Sequence, residues 1–212
     1  MYIGHFVVAE ALLKAYPSVP ALPVLVGVAY PDLLWPFLVY VGKEKLEIDP
    51  QTPLQKAIRF ISYPYSHSFV RSGLLTLIPV VGFGLIFQRP DVGVLFFIAA
   101  MSHWLLDAVV HLPDLPVLGF GKDLKIGLGL WNYPVPAFVF EYLFYAFGTL
   151  LLVPARHVWP MLLAGGALHL LNANSFFGFT KTNPTKTPKR YASLALFGYI
   201  LAIAIINFIL TS

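Results

Sequence analysis

The sequence predicts an all-α polytopic bundle of transmembrane helices, with about six spans and a short N-terminal helix in one integral membrane domain covering 1–212. Three observations predict it. Of the 212 residues 58% are hydrophobic and only 11% are charged, against about 45–50% and about 25% in soluble domains. The mean hydropathy is +0.76. The apolar residues fall into runs of about 20, each long enough to cross a hydrocarbon core of about 30 Å.

Residues 3–16 form a helix too short to span, and Pro17 and Pro20 turn the chain after it. His5, Glu10 and Lys14 interrupt the apolar run, and no basic segment precedes it, so it does not read as a cleaved signal. Spans are expected at 21–41, 68–88, 92–111, 133–153, 158–176 and 191–210. Three long loops connect them, at 42–67, 112–132 and 177–190.

With six spans these loops share one side. They hold Lys43, Lys45, Lys56, Arg59, Lys122, Lys125, Lys181, Lys186, Lys189 and Arg190, against Lys14, Arg89 and Arg156 on the other. Lys and Arg concentrate on the cytoplasmic side. The loops are therefore expected in the cytoplasm, and both chain ends at or near the opposite face. There are no cysteines, which excludes disulfides and thiolate metal sites, so any metal must be held by His, Asp or Glu.

Helical rise assigns depths to the polar residues. Measured from the short-loop face, Asp32 lies about 18 Å in, His103 and His169 lie about 11 residues along their spans, and Asp107 about 15. Glu141 reaches a similar level from the other face. His5 folds back across the Pro17–Pro20 turn to face Asp32. His67 and His111 lie at the edge of the same slab. Ionisable groups inside spans are costly, and they pair or mark a functional path.

His103, Asp107 and His111 follow one another at i, i+4 and i+8, on one helix face. The two histidines are about 12 Å apart along the axis, too far for one ion. Two ions would fit, with Asp107 bridging and one histidine on each. Imidazole and carboxylate suit zinc, and also manganese or iron. Structural roles compete. Asp32 after Pro31 would cap a restarting helix. His169 and Asn172 would join helices. Asp114 in "LPDLP" would make a turn, Arg71 would anchor at the interface, and His157 would sit in a short loop.

The order of His5, "PDLL" with Asp32, "SHS" with His67 and "HWLLDAVVH" resembles the YdjM-type membrane-bound metal-dependent hydrolases of bacterial inner membranes, over roughly residues 1–150. It is similar, more distantly, to zinc-dependent phospholipases C and single-strand nucleases. That likeness implies metal ligands at His5, Asp32, His67, His103, Asp107 and His111, with Asp107 bridging and the Met1 amine as a further donor. Glu141 joins the candidate ligands by depth. No His-x3-Glu follows, so a third ion is not carried over.

The expected function is hydrolysis of a phosphate ester in a membrane lipid or lipid-linked molecule, by a metal-activated water, with Asp32 and Asp107 catalytic. Nucleic acid is not an expected partner. A small-solute transporter or proton relay, or a metal-stabilised membrane protein without chemistry, would also use buried carboxylates and imidazoles.

Overall fold

The computed structural model describes all residues, 1–212. It is all-α apart from two short hairpins. A single turn of 3₁₀ helix leads into α1 (Phe6–Ala15), which the Pro17–Pro20 turn folds back against α2 (Ala21–Tyr40). Next come α3 (Phe69–Ile86), α4 (Pro90–Val110), α5 (Pro134–Leu152), α6 (Ala155–Leu171), α7 (Ala173–Phe177) and α8 (Pro188–Thr211). Prolines start α4, α5 and α8 in the first turn, where their missing N–H has no helical partner to lose. Ser68 caps α3 by accepting from the Ser72 amide.

Five helices are long and apolar enough to cross a membrane: α2, α3, α4, α5 and α8. The expected span at 158–176 falls on two helices, α6, of 17 residues, and the five-residue α7, which meet at Asn172. Asp32 is no cap, because α2 runs unbroken through Pro31 and Pro36. The outer face of α3 is apolar and open: Ile78 is 73% exposed and Ile86 75%. In water such a face would be unstable; against lipid it is solvated.

The long connections gather at one end of the bundle. Asn183 donates its amide to Pro50 O, Val70 to Val117 O, and the Tyr63 hydroxyl to Asp114. The loops at 42–67 and 112–132 are not irregular throughout. Each folds a small antiparallel hairpin, β1 (Lys45–Glu47) with β2 (Arg59–Ser62), and β3 (Leu115–Pro116) with β4 (Lys125–Ile126). At the other end Arg89 donates to Ser18 O and Lys14 to Leu151 O.

The N-terminus does not lie at that other face. The half-length α1 returns Met1 to the interior, 7% exposed, because ten helical residues rise only about 15 Å from the turn. The main core joins α1, α2, α4, α5, α6 and α8 around Phe6, Leu25, Val28, Ala99, Tyr145 and Ile206. Gly27 lets α2 approach α4 closely: a Cβ there would lie 2.8 Å from Ala99 Cβ and 3.0 Å from Phe96 O. Small residues at such crossings are how membrane helices come together. This one brings Asp32 of α2 against His103 of α4.

Candidate metal centre

Asp107 is the hub of a buried cluster built from four parts of the chain. Its Oδ1 accepts from the Met1 amine at 2.6 Å and lies 3.2 Å from His5 Nε2. Its Oδ2 lies 3.3 Å from His103 Nε2, 3.4 Å from His111 Nε2 and 3.9 Å from His67 Nε2. Asp32 closes the other side, with Oδ1 3.2 Å from His67 Nε2 and Oδ2 3.4 Å from His103 Nε2. The rings of His5 and His103 stack, 3.7 Å apart and 9° from parallel.

Each element delivers its residue for a local reason. The i, i+4 spacing on α4 aims His103 and Asp107 inward, and His111 caps the same helix. The 3₁₀ turn before α1 seats His5. His67 sits just before α3, where the Tyr63–His67 turn closes by a backbone hydrogen bond.

The protons on these rings can be placed from their outward partners. His103 Nδ1 lies 2.7 Å from Val28 O, which can only accept, so Nδ1 carries the hydrogen. His111 Nδ1 donates to Asp114 Oδ1 at 3.1 Å. Ser66 Oγ donates to Glu44 Oε2 at 2.6 Å, and His67 Nδ1 donates to Ser66 Oγ at 2.7 Å. A neutral imidazole has one N–H. In all three rings the Nδ1 hydrogen points away from the cluster, so in the neutral form the Nε2 lone pair points in. This is how metal-binding histidines are oriented by their outer partners.

Lone pairs facing carboxylate oxygens repel unless positive charge lies between them. His5 Nε2 and His103 Nε2 are buried with no hydrogen-bond partner, a costly state for polar atoms out of water. The spacings fit a cation. Ligands about 2.0–2.1 Å from a tetrahedral ion are about 3.3–3.4 Å from one another, and five of the His–Asp separations are 3.2–3.4 Å. Two groups have ligand atoms all within 4.8 Å of one another: His5, His103 and Asp107, and Asp32, His67 and His103. Buried His and Asp groups of this chain can therefore hold a metal ion. Asp107 turns one oxygen toward Met1 and His5 and the other toward His103 and His111, and the residue common to the two groups is His103.

The sequence-level candidates sort as follows. His5, Asp32, His67, His103 and Asp107 come together. His5 and Asp32 do not face each other directly; each reaches the α4 stripe between them. His111 points its Nε2 at Asp107 but falls in neither three-residue group. Glu141 lies at the site but falls in neither three-residue group; its Oε1 accepts from the amides of Tyr2 and Gly4 and so pins the N-terminal segment. His169 lies outside, donating Nε2–H to Phe138 O and stacked on that ring at 4.0 Å. Asp114 does more than turn the chain, since it orients His111 and accepts from Tyr63. Arg71 lies over Tyr65 and donates to Gly119 O.

Glu44 is the residue that sequence reasoning missed. In "GKEKLE" it reads as one of several solvated charges, yet it is 1% exposed. Besides Ser66 Oγ it accepts from the amides of Tyr65 and Ser66, at 2.7 and 2.9 Å. Burial pushes its carboxyl above the usual range, and those donors pull it part of the way back. Glu44→Ala would strand these donors and free the His67 ring. We expect metal affinity about 10–100-fold weaker, read by competition with a chromogenic chelator. Wild-type affinity in this variant would show that His67 needs no such support.

A mostly apolar cavity of about 400 Å³ opens onto the cluster. Asp32, His67 and Asp107 form its polar end, beside Trp131, which packs 4.3 Å from His111. Asp32 is the most open carboxylate there, its side chain 18% exposed against 3% for Asp107. No Lys or Arg lines the cavity. No protein-family model, curated protein or solved structure matches the chain.

Proposed function

We propose that the protein is a membrane-embedded metal-dependent hydrolase of phosphate esters, acting on a phospholipid or lipid-linked substrate. The observation that carries the reading is the inward set of Nε2 atoms from His67, His103 and His111 around Asp107, at the end of an apolar cavity. A scaffold site would be closed on all sides; this one meets a space of the size that holds small molecules. The resemblance to the YdjM-type hydrolases belongs to the same proposal, as do zinc as the metal and the inner membrane, with the long basic loops in the cytoplasm.

His5, His67, His103, Asp32 and Asp107 would hold two ions, with the Met1 amine and His111 at the margins. Divalent cations there supply a water activated for attack near neutral pH and positive charge for a phosphoryl oxygen. With no Lys or Arg in the cavity and the Met1 amine already paired with Asp107, the charge to draw in an anionic phosphate would come from the cations its His and Asp side chains would hold. Asp32 would take the proton of the attacking water as the new O–P bond forms. That proton passes to the leaving oxygen as the ester O–P bond breaks. Apolar walls at the buried Trp35 and Leu168 and the half-buried Phe60 keep bulk water from the site.

The test is release of product from short-chain phosphodiesters and from phospholipids by purified protein loaded with zinc or manganese. Turnover that disappears in His103→Ala is expected. Loaded protein that hydrolyses none of these esters, yet moves ions or solutes across liposomes, would replace the proposal with a transport function.

A further inference from the structure

The cavity does not end inside the protein. Its inner walls, Leu168, Phe176 and Tyr199, are 2%, 4% and 5% exposed. Further out it is lined by Leu171, Leu194 and Phe197, at 75%, 55% and 63%. These three lie on the last turn of α6 and on α8, a candidate span, so the mouth is on the side of the bundle. The gap lies where α6 ends, and at Asn172 the chain passes into α7. Asn172 and Ser175 place an amide and a hydroxyl on the wall.

The level of the mouth is fixed as well. Tyr191 to Leu201 line the cavity along the first 14 residues of α8, within about 20 Å of its start. That start joins the long connections, so the mouth opens in the half of the bilayer next to them. At this depth an apolar slot has one abundant occupant, the hydrocarbon chain of a lipid. A lipid with its phosphate at Asp32 and His67 would have its chain leave toward Leu194.

We infer that the gap between α6–α7 and α8 is a lateral portal, which admits one acyl chain of a phospholipid from the leaflet on the long-loop side and seats its phosphate at the His/Asp cluster. The inference rests on the hydrolase reading for the phosphate, but the slot binds its chain whether or not chemistry follows. Leu171, Leu194 and Phe197 are then the residues that select substrates by chain.

Metal-stripped full-length protein in nanodiscs of phosphatidylethanolamine and phosphatidylglycerol, doped with phosphatidylglycerol carrying a diazirine in mid-chain, tests this without turnover. Irradiation should place adducts on Leu168, Leu171, Leu194 and Phe197 several-fold above those on the outer face of α3, such as Ile78. Leu194→Trp should remove most of this excess and leave the α3 adducts unchanged; Phe197→Trp is the second variant if the first melts early. Equal labelling of portal and α3, or an excess that neither tryptophan lowers, overturns the portal. Metal-loaded protein separates the two readings. Hydrolysis of a soluble short-chain diester without portal labelling removes the portal and leaves the hydrolase. Portal labelling without hydrolysis of any ester removes the hydrolase and leaves the portal.

Discussion

Asp107→Ala is expected to empty the metal centre and to be the most damaging single change in the protein. Its two oxygens face Met1, His5, His67, His103 and His111, so no other side chain touches as much of the site. Outer partners of metal ligands are worth about 10–100-fold in affinity, and loss of a side chain that faces the ion directly should exceed that. The substitution also leaves the buried Met1 amine without its carboxylate. Removing one member of a buried ion pair costs about 3–5 kcal/mol. Asp107→Asn keeps the shape and loses the charge, so it should fall between. Metal-to-protein ratios by mass spectrometry, with thermal unfolding in detergent, check both effects. An unchanged metal content in Asp107→Ala would refute the centre.

Chelation of the wild type should lower its unfolding temperature, and added zinc should restore it. Without a cation the Nε2 atoms of His5 and His103 are buried and unpartnered, and two carboxylates share the site. A ligand present at 100 times its dissociation constant stabilises the folded state by about 2.7 kcal/mol. For a chain of this length that is a shift of about 5–10 °C. Asp107→Ala should melt at one temperature with or without chelator, which separates site loss from general damage. A wild-type melt indifferent to a strong chelator and to added zinc, manganese or iron would show that cations do not stabilise this fold.

Much of the site is legible along the chain because a helix keeps regular time. The spacing of His103, Asp107 and His111 on one apolar helix states the face and the cost together. The depths of Asp32 and His5 follow from rise per residue alone. Glu141 reads correctly in depth, but depth does not show that its Oε1 meets the amides of Tyr2 and Gly4. Glu44 and Asp114 are illegible for a different reason. Both lie in loops, where no period fixes direction, and only the packing of 42–67 against 112–132 turns them toward His67 and His111. The α6–α7 break hides in a run of apolar residues, because hydropathy measures burial in lipid and not continuity of the helix.

The sequence by itself determined that this is a helical membrane protein, that thiolates play no part, and that ionisable groups lie at one depth within its apolar rods. Those conclusions need only composition and the regular rise of a helix, which are properties of single segments. Only the tertiary structure decided which of those groups meet, which way the outer partners turn His67, His103 and His111, and that a cavity runs from them to the side of the bundle. Those are properties of contacts between segments distant in sequence, set by how closely backbones such as those at Gly27 and Phe96 can approach.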